Sequence, residues 1–162
     1  AAVDEGHQVI VAQAVSNKCP DNDNLIPMLE QVKNNCGQAA EKATADTGYW
    51  KKGGLEEQGA SLGTDVYIAT GREKRGNTEA SEEKTGQDDR ARMQEKLRSE
   101  EGRRIYKRRK AVVEPVFGQA KEARRFRRFL LRGLEAVGIE WSLVCTGNNL
   151  LKLYWSGQVA TG

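Results

Sequence analysis

Three short apolar, β-branched runs constrain this chain more than any other feature: "HQVIVAQAVS" at 7–16, "KATADTGYW" at 42–50 and "TDVYIAT" at 64–70. Each reads as a strand bounded by turn residues. Helical signals separate them. In "CPDNDNLIPMLEQVKNNCG", Asp23 or Asn24 can cap a helix whose apolar face is Leu25, Met28, Leu29 and Val32, with Gly37 as its stop. Pro27 is tolerated only in a first turn, which agrees with a start near Asn24. "WKKGGLEEQGASLG" predicts a weaker helix, spoiled by its glycines. Strands that alternate with helices argue for an α/β sheet with parallel neighbours. "AAVD" at the start reads as the end of a partner strand, joined to the first run through a "DEG" hairpin turn.

Beyond residue 70 the pattern changes. Residues 71–102 are polar and almost free of apolar side chains. Their first half is expected to be a mobile insertion and their second half a solvated helix. From Gly102 onward the spacing is helical, through Ile105, Tyr106, Val112 and Val113, then Val116, Phe117, Ala120, Phe126, Phe129 and Leu130. Pro115 should kink this helix or restart it. "EWSLVCTGNNLLKLYW" predicts a last apolar helix with Trp141, Val144, Leu150 and Leu151 available to a core, and 156–162 a frayed tail.

Charge is distributed unevenly. Residues 103–132 hold twelve Lys and Arg against two Asp and Glu, whereas 1–71 hold five against ten. A basic block of this density is an electrostatic footprint for a polyanion, and equally what a solvated helix face looks like. The cysteines, Cys19, Cys36 and Cys145, are odd in number and lack a C-x-x-C spacing. That argues against zinc and a disulfide framework and for a reducing cytoplasm. No apolar run approaches the roughly 20 residues of a membrane span, so no membrane partner is expected.

Two acids stand out by position. Asp46 ends an apolar strand, where α/β sheets collect functional residues. Glu114 lies among cations, directly before Pro115. Acids from two elements can together hold Mg²⁺, a hard ion that takes oxygen ligands. On the residues alone a plainer reading stays open for each: Asp46 as a turn cap, Glu114 as a counter-charge to Arg109 or Lys110. His7 is the only histidine and reads more readily as a strand residue than as a base. Glu114 and Lys121 are seven apart and share a helical face if the helix is regular. In "RRFRRF" (124–129) the arginines can take phosphates while Phe126 and Phe129 pack inward.

"TADTGYW" followed by "IYKRRKAVVEPVFGQAK" resembles the second-Asp and Glu blocks of DDE-type insertion-sequence transposases, and "AAVDEGHQVIVAQ" and "NNLLKL" are phrases of the same kind. The resemblance covers roughly residues 1–155. It implies an α/β, RNase H-like fold, a mixed sheet flanked by helices, with a polar insertion before the helix that carries the Glu. It implies Asp46 as the second catalytic Asp, Glu114 as the catalytic Glu, and both as ligands of Mg²⁺ or Mn²⁺. Tyr106, Arg108, Arg109, Lys110, Lys121, Arg124 and Arg125 become DNA-binding candidates. Glu114 and Lys121 match the family spacing. Tyr106 and Arg109 sit one residue upstream of it, so the family's basic position falls to either Arg109 or Lys110. No Asp stands on the first strand of the sheet, since Asp4 lies in the hairpin turn. The first catalytic Asp is therefore expected upstream of Ala1. The chain would then be a domain incomplete at its N-terminus and inactive alone.

The function expected from the resemblance is DNA transposition by Mg²⁺-dependent strand cleavage and transfer. The partners are transposon ends and target DNA, met in the cytoplasm or on the nucleoid, and a homodimer of the complete protein is admitted. The alternative is a noncatalytic nucleic-acid-binding module or a decayed remnant.

Overall fold

The computed structural model of the chain describes residues 1–17, 21–71 and 83–159, with all their side chains except those of 83–87 and 158–159. The expected mobile insertion falls mostly on 72–82, outside the described residues, as do Cys19 and the last three residues of the tail. In chain order the elements are β1 (Ala2–Val3), β2 (Ile10–Ala12), α1 (Leu25–Cys36), β3 (Lys42–Ala45), α2 (Leu55–Ser61), β4 (Asp65–Ile68), α3 (Glu83–Arg98), α4 (Glu100–Gly118) and α5 (Leu134–Val159). The protein is α/β. Its described strands form two separate two-stranded sheets, β1–β2 antiparallel and β3–β4 parallel. The chain divides into two compact units, Cys19–Arg109 and the pair of segments Ala1–Lys18 and Lys110–Gly162.

The unit Cys19–Arg109 is built on the parallel pair. Lys42 faces Asp65 and Ala45 faces Ile68, and α2 is the crossover between the strands, as a parallel connection requires. The core is Leu25, Leu29, Ala45, Leu55, Val66, Ile68 and Met93, with Trp50 and Leu97 packed against it. α1 starts at Asn24, though the Asn24 side chain makes no cap bond to the helix and instead donates to Asp21 Oδ1 at 3.3 Å. Gly37, in the left-handed region at φ 72°, ends it. The reading of α3 as only solvated is corrected. Met93 is fully buried and its sulfur accepts the Ile68 N–H at 3.5 Å, so α3 covers an open backbone group of β4. At the α3–α4 junction a Cβ on Gly102 would lie 2.0 Å from the Lys96 carbonyl oxygen, so only glycine fits.

The second unit joins the β1–β2 hairpin to the end of α4, a π-helical turn at Gln119–Ala123, and α5. The hairpin turn is held by Asp4, whose carbonyl accepts from Gln8 N and whose carboxylate accepts from His7 N. Ile10, Val116, Trp141 and Cys145 form the core, and Phe117 stacks on Trp141 with ring centroids 5.9 Å apart. Burial pushes the Cys145 thiol up to about 11, so it is inert, as its place in an apolar helix predicts.

Several expectations for this unit are revised. α4 is not restarted at Pro115 but runs through it to Gly118. The helical spacing does not persist to Leu130: after the π turn, residues 124–133 are irregular. Phe126 still packs inward against Trp141, while Phe129 is 41% exposed. On α5, Leu150 and Leu151 are exposed rather than core, and the helix continues through the start of the expected tail to Val159. The irregular stretch is organised instead by Glu140, whose carboxylate accepts the N–H groups of Leu130 and Leu131 at 2.9–3.0 Å.

Candidate functional site

Asp46 follows the last residue of β3, where the strand stops because its next three residues turn into a 3₁₀ helix, Thr47–Tyr49. The Asp46 carboxylate caps that turn, with Oδ1 accepting from the Gly48 N–H at 3.0 Å. The capping reading is therefore true, and the cap fixes the carboxylate at the carboxyl end of a parallel strand. Oδ2 lies 3.8 Å from Arg109 Nη1. Arg109 stands over the ring of Tyr106, 5.5 Å from its centroid, one turn back on α4. Its Nε is buried with no hydrogen-bond partner among the described residues. Burial, followed by the negative charges of Asp21 and Asp46, raises the pKa of the neighbouring Tyr49 hydroxyl.

Next to Asp46, the carboxyl ends of the two strands open on a surface depression of about 500 Å³. Thr47, Thr70 and Gly71 line it from the strand ends, and Gln94, Leu97 and Arg98 from α3. Gln94 donates to Thr70 Oγ1 at 3.2 Å, and Arg90 donates to the Gly71 carbonyl at 3.1 Å. Thr47 lies within "TADTGYW" and Thr70 ends "TDVYIAT". Gln94, Leu97 and Arg98 do not stand out in the sequence, because the partial apolar pattern of α3 is masked by its charge.

Glu114 belongs to the other unit. It is exposed on α4, as are Lys110, Lys121 and Arg125 in that unit and Arg108 in the first. The π turn widens the helix after Gly118, so Lys121 leaves the face that seven regular residues would give it. Arg125 has a positive φ of 55°. Arg124 is not a free cation: its Nη1 donates to Asn148 Oδ1 at 3.1 Å, and Asn148 is buried. Asn149 bonds Ile10 on both sides, accepting its N–H at 2.9 Å and donating to its carbonyl at 2.8 Å. "NNLLKL" is thus a structural phrase that ties α5 to β2 and to the arginine loop.

Carboxylate oxygen is the ligand type a hard divalent ion takes. The described residues fit such an ion in kind but not in number, since no group of three or more His, Cys, Asp and Glu is gathered among them. Asp46 by itself offers one carboxylate, partly committed to Gly48 and Arg109.

Within its unit, Asp46 is an acid held at the carboxyl end of a parallel strand with an arginine beside it. Residues 69–154 match the family model of the transposase DDE domain, more than half of the chain, and the chain belongs to that family. Searches of curated proteins and of solved structures found no match. The matched span includes Glu114 and the whole basic block, and begins after Asp46. Membership assigns the chain to DNA transposition, with DNA as substrate, and domains of this family use divalent metals. It does not favour a binding module of another class. No helix among the described residues is long and apolar enough to cross a membrane.

Proposed function

We propose that the chain is part of the catalytic domain of an insertion-sequence transposase with an RNase H-like mixed sheet. In this reading water attacks a phosphodiester at the element's end and releases a 3′ hydroxyl. That hydroxyl then attacks a target phosphodiester and displaces the target's own 3′ oxygen. Asp46 and Glu114 are the acids, and the Mg²⁺ or Mn²⁺ they would help to hold supplies charge stabilisation at the reacting phosphate. Arg108, Lys110, Lys121 and Arg125 hold backbone phosphates. Arg109, steadied on Tyr106, keeps the Asp46 carboxylate in place and offers its remaining donors to a phosphate. Arg124 serves chiefly to anchor its loop on Asn148, with any phosphate contact secondary.

The observation that carries this reading is Asp46 itself. It is fixed by the Gly48 N–H at the carboxyl end of β3, with Arg109 3.8 Å away. The test is Glu114→Gln in the complete protein, which keeps the shape of the side chain and removes its charge. Strand transfer should be abolished while DNA affinity stays within about twofold, because one neutralised acid removes no phosphate contact. Strand transfer at the wild-type rate would refute the assignment.

A further inference from the structure

Pro115 has no N–H, so the carbonyl four residues earlier, that of Ala111, loses its regular helical partner. Yet α4 continues through the proline. The missing donor comes from the hairpin, where Gln8 Nε2 donates to the Ala111 carbonyl at 3.1 Å. The other end of the same amide is engaged too, Oε1 accepting from Lys152 Nζ at 3.1 Å. The amide is therefore oriented by one partner of each kind. Gln8 also has φ 55°, a region that side chains other than glycine rarely adopt. Such conformations persist where the surroundings over-determine them, and they gather at functional sites.

Glu114 stands immediately before Pro115 and three residues after Ala111, on the face of the helix turn that Gln8 tethers. We propose that Gln8 is a positioning residue for Glu114. By bonding the carbonyl that Pro115 leaves open, it keeps α4 continuous at the proline and sets the direction in which the Glu114 carboxylate is presented. This rests on the reading of Glu114 as a catalytic acid. It assigns a role in the reaction to the hairpin phrase "EGHQ", whose residues touch no reacting group.

The test is a double-mutant cycle with Pro115→Ala, which restores an N–H to the Ala111 carbonyl and makes the Gln8 donor redundant. Strand transfer by the complete protein is compared for the wild type, Gln8→Ala, Pro115→Ala and the double variant. Gln8→Ala should lower kcat about tenfold with KM for DNA within about twofold, the signature of a misplaced group rather than lost binding. In the Pro115→Ala background the same change should have almost no effect. Gln8→Glu keeps the acceptor for Lys152 but lacks the donor, so it should fall as Gln8→Ala does, and it guards against simple unfolding. An equal loss in both backgrounds, a loss confined to KM, or full rescue by Gln8→Glu would overturn the proposal. Glu114→Gln in the same assay separates the two failures. If it is inactive and the cycle shows no coupling, only the positioning role fails. If it is active, the reading of Glu114 fails, and the positioning role with it.

Discussion

At Gly59 a Cβ would stand 2.8 Å from Val66 Cγ1 and 3.0 Å from the Thr64 carbonyl oxygen. By propensity this glycine spoils a helix. The structure shows what it permits, which is close packing of α2 on β4. Gly59→Ala gains about 1 kcal/mol of helix propensity but forces that contact apart, and overpacking of this kind costs about 1–3 kcal/mol. The net expectation is a lower melting temperature, read by thermal denaturation; an unchanged or raised one would mean that α2 shifts freely. The same difference between local and tertiary information decides which site residues were legible. The place of Asp46 at a strand end is legible because strand, stop and acid are adjacent in sequence. Gln8 and Asn149 could not be given roles, because the partners that define them lie 103 and 139 residues away.

α3 looks like a solvated helix when only its composition is read, because its docking uses one buried sulfur side chain and several ion pairs. Arg92 pairs with Glu57 and Lys96 with Glu56 and Asp65, while Asp89 pairs with Arg92 inside α3 and reaches across to the Gly54 N–H. The hydrogen bond from Arg92, then that from the Gly54 N–H, holds its carboxyl below the ordinary value of 3.8. At Asp65, burial pushes the carboxyl up, but bonds from Lys96 and Tyr67 outweigh it and the net shift is also downward. A depressed folded pKa means stability that is fully present above the unfolded value and lost as pH falls through the folded one. The attachment of α3 should therefore hold at neutral pH and weaken below about pH 4, where these carboxyls take up protons. Asp89→Asn should cost stability at pH 7 and flatten the acid limb of a pH–denaturation profile; an unaltered acid limb would remove Asp89 from the account. Residues 124–133 were misread for a related reason. Their i, i+3 aromatic spacing suits a helix, but the π turn and the Glu140 carboxylate give the backbone other partners.

Across the whole chain, the concentration of positive charge in 103–132 was the most legible functional signal, since it needs no fold to be seen. DNA affinity should fall steeply with salt, because each neutralised phosphate releases condensed counterions. Lys121→Ala and Arg125→Ala should each reduce the slope of log K against log salt by about 1, without altering sequence preference. Slopes equal to the wild type would show that these side chains face solvent in the complex. Sheet assembly was the least legible property, and β2 bears on it. Because Asn149 occupies both the N–H and the carbonyl of Ile10, that edge of the hairpin has no free ladder there for another strand to join. The hairpin is protected on this side against edge-to-edge aggregation. Any strand that enlarges its sheet must enter beside β1, so a single asparagine on the last helix gives the sheet a direction of growth.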